Sequence, residues 1–128
     1  MPVRSLNSSV LKWPDAKTVT EKLGAWVKKV LRNRTDVLRI GVFGSYARGD
    51  WGVGSDLDLL IVLRDSTQPF ERRAADWDTL DLPVPADLLI YTGAEWQSLT
   101  RVGRFPNTIL QEFVWIYQQE DERAVDEE

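Results

Sequence analysis

Two aspartates, Asp56 and Asp58, stand two apart at the start of the apolar run 56–63. Side chains alternate along a strand, so both carboxylates would project from one face while Leu57, Leu59, Ile61 and Leu63 anchor the other face in a core. Two like charges this close persist when a cation or a proton compensates them. A pair of metal ions ~3.5–4 Å apart is the arrangement that serves in-line displacement at phosphorus. Asp87, in PADLLIY, opens a second apolar run in the same way and is the candidate third carboxylate, although an ordinary strand-edge aspartate would read the same. Gly44 and Ser45 close the apolar run 37–43 where a strand should turn into a helix, a place where free backbone N–H groups hold phosphate. Glycine admits the phosphate to the backbone and the serine hydroxyl adds a donor, but a Gly-Ser pair alone also suits a plain turn. Arg48, one turn later, could reach the same phosphates.

The rest of the composition narrows the chemistry. The 128 residues include no cysteine and no histidine, which removes thiolate catalysis, the usual zinc ligands and the usual general base. What remains is carboxylates and hydroxyls, ligands that favour Mg²⁺. Residues 1–49 carry ten Lys and Arg against three acids, and residues 50–128 carry six against seventeen. A basic half beside an acidic half suits an anionic ligand held near metal-binding carboxylates. Net acidity argues against a nucleic-acid partner, which would need a broad basic surface. The length predicts a single domain over 1–128, and the absence of a long apolar stretch or a secretory signal predicts a cytoplasmic protein with no membrane partner.

These residues need elements to hold them. Residues 1–16 read as an irregular lead-in, and order should begin near Thr18, where Thr18 and Glu21 match a capping box ahead of Val19, Leu23, Trp26, Val27, Val30 and Leu31 at helical spacing. Strands are expected over 37–43 and 56–63, a helix over 69–80 with Phe70, Ala74 and Trp77 on one side, a third strand within 83–91 and a fourth over 113–117. Thr92 and Glu95 form a second capping box for a short helix, another helical turn is expected over 106–111, and 119–128 should be a solvated acidic tail. The expected class is α/β (α+β): a mixed sheet of about four strands flanked by helices.

Gly44-Ser45, ten intervening residues, then Asp56-x-Asp58, with Asp87 and the YTGAEW segment beyond it, resemble the signature of the polymerase β-like nucleotidyltransferase superfamily, and in particular its minimal nucleotidyltransferase branch. The resemblance covers about residues 37–96. It implies the polymerase β-like fold, ATP as substrate and two Mg²⁺ ions on Asp56, Asp58 and Asp87, all three serving as catalytic residues. It also implies β- and γ-phosphates on Gly44 and Ser45, with Arg48 as a further contact. Stand-alone members of that branch pair with a helical partner of the HEPN class as the antitoxin of a toxin–antitoxin module, with AMP transfer onto the partner protein. Two other readings stay open: transfer to a small molecule such as an aminoglycoside, with a partner subunit or a second copy of the chain completing the pocket, and a non-catalytic docking antitoxin.

Overall fold

A computed structural model describes residues 14–101 and 113–119. The lead-in up to residue 13, the expected helical turn at 106–111 and the tail from residue 120 lie outside the described residues. A four-stranded sheet is built from β1 (Val37–Phe43), β2 (Leu57–Leu63), β3 (Ala86–Thr92) and β4 (Val114–Gln118) in the order β3-β2-β1-β4. β1 runs antiparallel to β2 and β4, while β2 and β3 are parallel, so the sheet is mixed as expected. The helices are α1 (Ala16–Asn33), the single turn α2 (Ser45–Arg48), α3 (Phe70–Arg73) running into a 3-10 turn (Ala74–Asp76), and α4 (Gly93–Arg101). Among the described residues no helix is long and apolar enough to cross a membrane.

α1 begins three residues before the position that the Thr18–Glu21 pair suggested. The cap is Asp15, whose carboxylate accepts from the Thr18 N–H at 2.8 Å, leaving Thr18 inside the first turn. Val19, Leu23, Trp26 and Val27 bury the helix's apolar stripe against Leu57, Leu59, Ile61 and Leu63 on one face of the sheet. The opposite face is also covered: Leu60 and Val62 are fully buried beneath Trp96 of α4, Phe113 and Trp115. β2 is therefore a central strand buried on both sides, and its acid face meets solvent only at its first residues. Edge-to-face and stacked contacts link Trp96, Phe113 and Trp115 at 5.5–5.7 Å between ring centroids, and Phe113 reaches Phe43 at 5.3 Å. Tryptophan thus serves packing here, with Trp26 and Trp96 buried.

The helix expected over 69–80 stops at Asp76. Trp77 takes an extended conformation, φ −104° and ψ 135°, because distant partners claim its neighbourhood: its ring lies 6.1 Å from that of Trp26, the Arg34 guanidinium sits 4.6 Å above it, and the Trp26 indole N–H donates to the Asp78 carbonyl at 2.8 Å.

The Thr92–Glu95 capping box forms as expected: the Thr92 N–H donates to Glu95 Oε1 at 2.9 Å and the Glu95 N–H to Thr92 Oγ1 at 3.2 Å. The same carboxylate accepts both arms of Arg73, at 2.6 and 3.0 Å, and Arg73 is only 7% exposed. The guanidinium beside it holds the Glu95 carboxyl below its usual range. A depressed carboxyl stabilises the fold above its unfolded pKa, 4.5, and that contribution disappears as pH falls through the folded value. Glu95→Gln should accordingly cost roughly 2 kcal/mol at neutral pH, after allowance for the partial exposure of Glu95, and the gap from wild type should close on acidification in paired thermal melts. A gap independent of pH would mean that the ion pair is not its source.

Candidate active site

The candidate site is built where β1 ends and β2 begins. β1 runs through Phe43 into Gly44, whose φ of 79° and ψ of −153° turn the chain sharply into α2. Across the sheet Phe43 is the register partner of Asp58, which brings the turn over that carboxylate. Gly44 is packed so closely there that a Cβ would collide with Asp58 Oδ2. α2 is held by Arg48 N–H to Gly44 O at 3.0 Å and by Gly49 and Asp50 N–H to Ser45 O at 2.9 and 3.1 Å. The first N–H groups of a helix have no acceptor within the helix itself, and Ser45 opens α2 at that end.

Asp58 and Asp87 are direct register partners on the parallel strands β2 and β3, so both carboxylates leave the same face of the sheet. Asp56 precedes β2 by one residue and is exposed. Burial, followed by repulsion from Asp87 and Asp56, pushes the Asp58 carboxyl above its ordinary range, with Arg48 opposing the shift. Asp58 is thus the hub: Gly44 touches it, Asp87 faces it, and the charges of Asp56 and Arg48 act on it. Arg48 itself is exposed and pairs with Asp50 at 3.0 Å. The loop over 51–54 is a defined turn, with Trp51 stacked on Tyr46 at 5.3 Å and Gly52 N–H bonded to Ser55 Oγ at 2.8 Å.

A set of oxygen-only side chains suits a hard cation such as Mg²⁺, which takes one or two carboxylates and completes its shell with substrate phosphate and water. Among the described residues no three acidic side chains close into a ready-made metal cluster. As candidate ligands, Asp58 and Asp87 stand opposite each other and Asp56 lies exposed one residue before β2. Asp58 and Asp87 also line a cavity of about 520 Å³ together with Phe43, Trp77 and Thr79. These last three are not evident from residue chemistry, although Phe43 could have been found as the residue just before Gly44 on a strand that must lie near Asp58.

The nucleotidyltransferase domain family matches residues 25–116. A curated relative, the protein adenylyltransferase MntA of Thermococcus cleftensis, is 56% identical over 34 residues, 27% of this chain and 34% of the relative. The chain thus aligns with about a third of that relative's length. A solved structure from Sulfolobus solfataricus, provisionally described as a nucleotidyltransferase, superposes with a TM-score of 0.60 at 19% identity over 82% of this chain and 85% of its own, a likeness of fold. A more distant structure, of a toxin–antitoxin with AMP-PNP, gives a TM-score of 0.47 at 18% identity over 79% and 77% of the two chains.

Proposed function

The chain belongs to the nucleotidyltransferase domain family, and on that premise we propose that it transfers AMP from ATP, with Mg²⁺, to a hydroxyl of a HEPN-type helical partner protein, as the antitoxin of a toxin–antitoxin pair. The observation that carries the catalytic part is the position of Asp58, pressed beneath Gly44 and opposite Asp87, where burial and the repulsion of Asp87 and Asp56 outweigh the charge of Arg48. The choice of a protein as acceptor is supported by the stretch shared with a protein adenylyltransferase.

In this reading the backbone of Gly44 and the hydroxyl of Ser45 hold the β- and γ-phosphates. Arg48 adds a contact by exchanging its exposed pairing with Asp50. Asp56, Asp58 and Asp87 would hold two Mg²⁺ ions, whose chemistry when bound is to neutralise the triphosphate and to lower the pKa of the acceptor hydroxyl. The hydroxyl oxygen forms a bond to the α-phosphorus, its proton passes to a carboxylate oxygen of Asp87, and the bond to the bridging oxygen breaks with its electron pair leaving on pyrophosphate. Alignment and charge compensation supply most of the rate, which is why the chemistry needs no histidine.

Calorimetric titration of ATP into the chain with Mg²⁺ tests the site. Binding is expected for the wild type, with a loss of about tenfold or more in affinity, at least ~1.4 kcal/mol, for the Asp56→Ala, Asp58→Ala double variant and in the presence of EDTA. Equal binding by the double variant would overturn the site assignment. The 520 Å³ cavity beside Asp58 and Asp87 also favours a second reading, transfer to an aminoglycoside-like small molecule. Label from α-labelled ATP appearing on a small molecule rather than on protein would select it.

A further inference from the structure

Among the described residues, the outer edge of β3 is closed along one half and open along the other. β3 is an edge strand. Along a strand the N–H and C=O of one residue point to the same side and those of the next residue to the opposite side. The Pro85 carbonyl accepts from the Leu57 N–H at 2.8 Å, so the main-chain groups of Pro85, Asp87 and Leu89 face β2, and those of Ala86, Leu88, Ile90 and Thr92 face outward. At the C-terminal half, side chains take these outward groups: the Ile90 carbonyl accepts from Arg73 at 3.0 Å, and the Thr92 N–H donates to Glu95 at 2.9 Å. At the N-terminal half no described residue does so. Among the described residues no hydrogen bond reaches the outward N–H or C=O of Leu88.

The open half borders the cavity that contains Asp58 and Asp87. Four consecutive β3 residues, 86 to 89, line it together with Phe43 and Asp58 of the two neighbouring strands, so the cavity reaches from the sheet face that carries the carboxylates out to the edge of β3; Ala74, Trp77 and Thr79 also line it. A row of unpaired N–H and C=O groups is a template for another strand, and a main chain is the ligand whose donors and acceptors repeat at the matching interval. We propose that this half-edge docks an extended polypeptide segment of the acceptor protein, which pairs with Leu88 and brings a serine, threonine or tyrosine hydroxyl up to Asp58 and Asp87. The proposal rests on the protein-acceptor reading given above. The Arg73–Glu95 pair then has a second consequence: by occupying Ile90 and Thr92 it confines pairing to the end of β3 nearest the carboxylates.

Amide hydrogen exchange on the full chain reads this edge directly. The probe is the hexapeptide acetyl-Val-Thr-Val-Tyr-Val-Thr-amide at millimolar concentration, compared with the same peptide N-methylated at every amide, which cannot donate to a strand. The expected result is fast exchange at Leu88 in the free chain, slowed about tenfold by the first peptide and unchanged by the second. Unchanged exchange with both peptides, equal slowing by both, or protection of Leu88 before any peptide is added would overturn the proposal, the last because the edge would already be filled by the chain itself or by a second copy. Nucleotide transfer is not part of the readout. A chain that binds no ATP and yet shows peptide-dependent protection at Leu88 would remove the catalytic reading and leave the docking edge in place.

Discussion

Asp58→Asn yields a protein that melts at a slightly higher temperature than wild type and has lost nucleotide transfer. The two effects share one cause. Among the described residues Asp58 is the carboxylate that the fold treats worst: it is partly buried, faces Asp87 across the parallel ladder, and is repelled by Asp56 as well. Asparagine has nearly the same shape and no charge, so it relieves the repulsion without leaving a hole. The gain is small because the group remains in part accessible to water, roughly 0.5 kcal/mol after screening. The loss is large, since a carboxylate at the centre of a metal-dependent site supports several kcal/mol of transition-state stabilisation, or about 10³-fold in rate at 1.36 kcal/mol per decade. Calorimetric melts without nucleotide or metal, run beside a transfer assay, measure both. Mg²⁺ with ATP should raise the melting temperature of the wild type more than that of the variant, because a ligand stabilises only the state that binds it. A variant that melts lower and still transfers nucleotide would show that Asp58 is an ordinary structural residue and that the chemistry lies elsewhere.

The same repulsion explains why this part of the molecule was legible in the sequence. Period-two alternation places Asp56 and Asp58 on one face, and an acid at the head of a second apolar run suggests Asp87 on the neighbouring strand. What alternation cannot supply is the parallel register that sets Asp58 directly against Asp87, because that depends on where the 64–85 connection lets β3 begin. Three of the strands were likewise readable to within a residue, each being a short apolar run bounded by turn residues, and β3 only as lying within 83–91, one residue short of its end at Thr92. Local signals misled in two places. Thr18 and Glu21 have the spacing of a capping box, but Asp15, three residues upstream, is the cap that the helix uses. Phe70, Ala74 and Trp77 have helical spacing, but the chain beyond Asp76 is decided by Trp26 and Arg34, residues 52 and 43 positions away from Asp78 and Trp77. The half-closed edge of β3 could not have been anticipated, since it depends on Arg73 reaching a carbonyl 17 residues away.

Gly44→Ala should be the most damaging single-methyl change in the described fold, and comparison with Gly49→Ala shows why. Both glycines have positive φ, 79° and 85°, and therefore share the strain that an L residue meets there. Their surroundings differ. A Cβ on Gly49 meets nothing within 4 Å, and its ψ of 9° belongs to the left-handed region that other residues tolerate, so Gly49→Ala should cost roughly 1 kcal/mol. Gly44, at ψ −153°, lies in a region essentially restricted to glycine, and its added methyl group would collide with the Asp58 carboxylate. The chain must either straighten the β1–α2 turn or push Asp58 out of register with Asp87, at a cost of about 3 kcal/mol. Either movement separates the phosphate-binding backbone from the carboxylates, and a misplacement of about 1 Å is enough to reduce the rate by 10²-fold. Denaturant titrations of the two variants, each paired with ATP titration, make the comparison quantitative. Equal stability losses at Gly44 and Gly49, with ATP affinity retained in both, would show that the close packing of Gly44 on Asp58 is incidental to the site and that the turn there serves only to reverse the chain.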